Sequence, residues 1–158
     1  MKKFRSTSVF ILISIIFPLF FATQSQAGLF GPSADTKKNI AAIKALGKTE
    51  SKLIARYTAV TGTNSKDDYT TGMALINLLP DVNTFIGKIE ALSPNDTKLA
   101  NAVRLWDQAW NKQAEGMTLF ISAIDAQDYA KAAQANSALA SGRVIFKKAQ
   151  AALLPFLK

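Results

Sequence analysis

From Ser33 onward, apolar residues return every three or four positions, the spacing of one helical face, in four stretches separated by short polar breaks. The first carries Ile40, Ile43, Leu46, Leu53, Ile54, Tyr57 and Val60, with Ser33 as its cap and Gly62 as its stop. The second opens at Ser65, with Asp67 and Asp68 in a first turn where negative charge suits the helix dipole. Its apolar face is Tyr69, Met73, Ile76, Leu79, Val82, Phe85, Ile86 and Ile89, and Pro80 inside it predicts a kink or split near Leu79. The third has the strongest start signal, Ser93 as N-cap with Pro94 next and Asp96 in the first turn. Leu99, Val103, Trp106, Trp110, Met117, Phe120, Ile121 and Ile124 form its stripe. Asp125 is expected to end it and cap the fourth, which carries Tyr129, Ala132, Leu139, Phe146, Leu153 and Leu154 up to Pro155.

These elements predict helices over about 33–62, 65–92, 94–124 and 126–154. Each would be roughly 40 Å long at 1.5 Å per residue. Short connections between long helices make antiparallel neighbours, so the predicted fold is all-α, an antiparallel up-down four-helix bundle over 33–158. An open arrangement of two helical hairpins fits the same spacing. No internal repeat or low-complexity linker stands out.

Ahead of the helices, the chain reads as a cleaved signal peptide over 1–27 and a flexible lead-in over 28–32. Lys2, Lys3 and Arg5 are basic, Val9 to Ala22 is apolar apart from Ser14, and Ser25-Gln26-Ala27 puts small residues at the −3 and −1 positions of a cut before Gly28. The apolar run is shorter than the roughly 20 residues a membrane span needs. The expected location is therefore the periplasm, or outside the cell. The remaining 131 residues suit one domain, and without Cys they must fold by packing alone.

Composition narrows the chemistry. The chain has neither His nor Cys, which removes Cys/His and Ser/His nucleophilic systems, thiol redox chemistry, His-ligated zinc and covalently attached haem. The Glu-x-x-His pairs of di-iron bundles are missing, as are phosphate-binding glycine loops. No cofactor, metal site or catalytic residue is implied, and the expectation is that the protein is not an enzyme. Sixteen of the 19 basic residues fall after residue 27, against 11 acidic ones, a mild net charge of about +5. Acidic residues spread along the chain, together with export, argue against nucleic acid as a partner. Asn95-Asp96-Thr97 matches a glycosylation sequon but sits where a helix start already explains it. Met73 and Met117 are isolated gap-fillers rather than metal ligands. Leu105 and Leu119 lie off the main stripe of the third helix.

Two features could carry function. On the first helix, Lys37, Lys44, Lys48, Lys52 and Arg56 share an arc of about 120° opposite the apolar stripe. Such a face is either solvated or touches an anionic membrane surface or an acidic partner. The second is a polar cluster at apolar positions. Glu50 sits amid the stripe of the first helix, and Arg143 lies between Leu139 and Phe146 on the fourth. Both fall about 16 residues into their helices, so a buried ion pair at mid-bundle is predicted, completed by Gln113 and Asn136. Its role is either to fix helix register or, with Trp106 and Trp110 as an aromatic wall, to line a ligand pocket. The function expected from the sequence is an exported non-catalytic helical protein that binds a partner protein, as an adaptor, chaperone, inhibitor or immunity factor. The alternative is a carrier of a small or lipid-like ligand in the bundle core. Oligomeric state does not follow from the residues.

Overall fold

The computed structural model describes residues 31–62 and 67–158, and these form a helical bundle of four helices with no strand among them. The helices are α1 (Ala34–Thr61), α2 (Asp68–Glu90), α3 (Thr97–Ala126) and α4 (Tyr129–Leu157). The proposed signal peptide and Ser65 lie outside the described residues.

Each helix begins with the same device, a side-chain oxygen accepting the backbone N–H three residues on, one of the donors a helix start leaves unpaired. Ser33 accepts from Thr36, Asp67 from Thr70, Asp96 from Leu99 and Asp128 from Lys131. Three starts therefore differ from expectation. Asp67 itself caps α2. For α3 the cap is Asp96, not Ser93, because the Asp35 carboxylate accepts the Asn95 N–H at 2.9 Å and holds that residue outside the helix. For α4 it is Asp128, not Asp125. There α3 runs on to Ala126 and closes with Gln127 in the left-handed region (φ 53°), the Asp128 N–H reaching back to the Ala123 carbonyl.

Both internal prolines are carried inside helices. α2 passes through Pro80 unbroken, and α4 continues past Pro155 to Leu157. Each proline lies on an exposed flank, where water can satisfy the carbonyl that loses its partner.

The core is unevenly distributed. α3 and α4 share the most extensive contact, α2 packs on α3, α1 leans on α2, and α1 and α4 barely touch. The close pair rests on small residues at seven-residue spacing, Ala102, Ala109, Gly116 and Ala123 on α3 and Ala135, Gly142 and Ala149 on α4, all buried. Gly116 and Gly142 mark the tightest approach. A Cβ on Gly116 would lie 2.5 Å from Leu139 Cγ, and one on Gly142 would lie 2.6 Å from Gln113 Nε2 and 3.2 Å from the Ala109 carbonyl. These contacts pair early α4 with late α3, so the two run antiparallel. Gly72 against Ile124 does the same for α2 and α3.

The buried face of α2 differs from the one its periodicity suggests. Leu75 and Leu78 turn inward with Val82, Phe85, Ile86 and Ile89, while Tyr69, Met73 and Ile76 are left outside at 70, 43 and 43% exposure. Tyr129 and Leu154 of α4 are likewise exposed.

Candidate functional site

At mid-bundle all four helices contribute to one cluster. α3 projects Trp106 and Trp110, one turn apart, and α2 sets the Phe85 ring edge-on to both, with centroids 5.7 and 5.2 Å away. Phe146 of α4 packs edge-on to Trp110 at 6.4 Å. Glu50 reaches in from α1 and is fully buried. Its Oε1 accepts both indole N–H groups, from Trp106 at 2.6 Å and from Trp110 at 2.8 Å.

This arrangement satisfies two indole donors with one oxygen and leaves Oε2 without a hydrogen-bond partner among the described residues. Burial pushes the Glu50 carboxyl up from 4.5 to about 7, and the two indole bonds, which favour the charged form, only partly oppose it. The core therefore holds a group poised between acid and anion near neutral pH.

Sequence reasoning placed Glu50, Trp106, Trp110 and Gln113 in the interior, and the structure buries all four. The first three meet. The predicted pairing of Glu50 with Arg143 does not form: the carboxylate is bonded to the indoles, and Arg143 is neither among its partners nor among the causes of its shift. The reason lies in the packing. The pairing assumed α1 and α4 to be close neighbours, whereas Glu50 crosses the bundle diagonally to α3 and Arg143 stays half-buried on the flank of α4. Gln113 belongs to the α3–α4 seam, donating to the Leu139 carbonyl at 3.2 Å with its Oε1 unpaired, and Asn136 is half-buried.

Of the residues expected to line a pocket, Glu50, Trp106 and Trp110 are fully buried and hydrogen-bonded to one another. A shallow depression of about 260 Å³ lies elsewhere, between α2 and α3, lined by Ile76, Leu79, Pro80, Asn83, Thr118 and Ile121. With Tyr69 and Met73 beside it on α2, it makes an apolar strip on the surface. Sequence reasoning missed this strip by assigning Tyr69, Met73 and Ile76 to the core. The signal was present in Leu75 and Leu78, which sit at helical spacing from Val82 and Phe85 and are the better-aligned inward set.

Of the α1 cations, Lys37, Lys48, Lys52 and Arg56 are exposed and Lys44 is half-buried. Arg56 pairs with Asp81 of α2 across the surface, while the four lysines make no ion pair among the described residues. No group of metal-binding side chains occurs among the described residues, and none of the described helices is long and apolar enough to cross a membrane. Comparisons of the chain with protein-family models, with curated proteins and with solved structures give no match.

Proposed function

We propose that this is an exported, non-catalytic helical protein whose task is to bind a partner protein, and that the α2–α3 strip is where the partner sits. The observation that carries this reading is the exposure of Tyr69, Met73 and Ile76 on one flank of α2, continuous with the depression walled by Leu79 and Ile121. Exposed apolar surface beside a shallow depression is what a partner's side-chain anchors need. Charge suggests the partner's character. Asp67, Asp68, Asp81 and Glu90 stand on or next to α2 against two lysines, Lys66 and Lys88, so an apolar segment flanked by basic residues is the complementary shape. Export rests on the order of basic, apolar and small residues before Gly28, and a non-catalytic role on the absence of His and Cys from the sequence. A carrier in the bundle core has less support, because Trp106 and Trp110 are fully buried and already donate to Glu50.

The test is site-specific photo-crosslinking in the native host. A photoreactive residue at Met73 should give one discrete adduct, abolished by Ile76→Asp, whereas the same residue at Ala140, on the outer face of α4, should not. No adduct at position 73, or the same adduct from both positions, overturns the proposal. The mass of the recovered chain tests export in the same sample, through loss of residues 1–27.

A further inference from the structure

We infer that the side of the bundle formed by α1 and α4 is a second binding surface, one that lies on an anionic phospholipid bilayer. From Tyr129 to the end the chain carries Lys131, Arg143, Lys147, Lys148 and Lys158 and no acidic residue at all. α1 carries six cations against Asp35 and Glu50, and Glu50 is sealed in the core. Two helices thus hold most of the positive charge after residue 27, whereas α2 is net acidic.

The register sharpens this. Glu50 is level with Trp106 and Trp110, and Gly142 of α4 meets Ala109 and Lys112 of α3, so the middle of α1 stands beside the stretch of α4 around residue 145. At that height Lys48 and Lys147 come to the same level, both exposed. Lys44, Lys48, Lys147 and Lys148 have no acidic partner among the described residues, so nothing within the bundle neutralises them.

Exposed apolar groups distinguish a bilayer from an acidic protein as the occupant. Val144 (55% exposed), Leu154 (42%) and Tyr129 (61%) are distributed along α4 between its lysines, with exposed alanines filling the outer face. Lysines interleaved with apolar side chains and an aromatic along one exposed helix face match a flat interface that takes cations at headgroup level and apolar tips just beneath. This surface lies away from the α2–α3 strip and does not depend on the partner-protein reading.

The experiment is co-sedimentation of the chain, as recovered from its host, with vesicles of neutral phosphatidylcholine alone or mixed with phosphatidylglycerol. Neutral vesicles score any contribution of an apolar stretch such as Val9–Ala22. Retention is expected on anionic vesicles, falling steeply with added salt. Each cation near such a surface contributes roughly a factor of five in affinity. The triple variant Lys48→Gln, Lys147→Gln, Lys148→Gln should therefore weaken binding on the order of a hundredfold. Removing equal charge from the other side, Lys88→Gln, Lys98→Gln, Arg104→Gln, should change it less than about fivefold. Val144→Ser with Leu154→Ser should weaken retention while leaving its salt dependence in place. All of the substituted side chains are exposed, so unchanged helicity is expected and is checked by circular dichroism. Equal retention on both vesicle types, equal losses in the two triple variants, or no vesicle binding with capture of an acidic protein instead, each overturns the inference.

Discussion

Glu50 makes the stability of the bundle depend on pH in a direction opposite to that of most surface carboxylates. Its pKa is raised by burial from 4.5 to about 7, so between those values the folded chain holds a proton that the unfolded chain has released. The contribution is fully present below about pH 4.5, declines as pH rises through the window, and is lost above about pH 7. At about 1.4 kcal/mol per pH unit the change is about 3 kcal/mol, a large share of the roughly 5–15 kcal/mol that holds a domain folded. Asp68 and Asp107 are shifted upward as well, chiefly by burial, but both are largely open to water and add little.

Glu50→Gln isolates the buried group. The amide oxygen can still accept from both indoles, and nothing ionises. Urea unfolding at pH 5 and pH 8 is the assay, followed by the emission of Trp106 and Trp110, which lie against the substituted side chain. At pH 5 the variant and the parent should agree to within about 1 kcal/mol, the amide donor being as poorly paired as the acid proton. At pH 8 the variant should be the more stable by up to about 3 kcal/mol. Parallel pH profiles for the two chains would refute the reasoning, since they would mean Glu50 keeps one protonation state across the window.

Three further predictions concern the backbone. Gly116→Ala should destabilise by about 1–3 kcal/mol, because the new methyl meets Leu139 and the Ala135 carbonyl, whereas Gly87→Ala, in open space on α2, should stabilise by up to about 1 kcal/mol; chemical denaturation compares them. Gln127→Gly should raise stability by about 0.5–1 kcal/mol by relieving a left-handed backbone, and a lower melting temperature would count against it. Asp96→Ala should cost about 1 kcal/mol through loss of the α3 cap, with Asp96→Asn recovering most of it.

Helix number and approximate extent were legible because apolar residues recur at helical spacing and the breaks are short. Errors concentrated at helix starts. Ser93 and Asp96, or Asp125 and Asp128, are equally good caps locally, and the choice was made by a long-range bond from Asp35 in one case and by the left-handed Gln127 in the other. Glu50 was recognised as buried because a charged residue sits amid an apolar stripe. Its partners were not, because the sequence shows which residues face inward but not which of two neighbouring helices is nearer. The alanine and glycine repeat of α3 and α4 held that information, since small residues at seven-residue spacing bring two helices together and leave the others farther apart. On α2, Tyr69, Met73 and Ile76 make an apolar run of their own, but Leu75 and Leu78 fall at helical spacing from Val82, Phe85 and Ile89, and it is that set that packs inward.

The uneven packing of the helices also sets the order in which the molecule comes apart. The α3–α4 seam closes on backbone-distance contacts over much of its length, and its amides should exchange with solvent only on global unfolding. α1 has the least contact with the rest, and beside the buried Ile43, Leu53, Ile54 and Tyr57 it is held by one carboxylate bonded to two indoles. It is the element whose amides open first, as a unit, with a free energy below that of the whole domain. Because that attachment is the titrating group, the protection of α1 in hydrogen exchange should fall between pH 5 and pH 8 while that of α3 and α4 stays comparatively high, so that acidity sets how firmly the first helix is docked onto the remaining three.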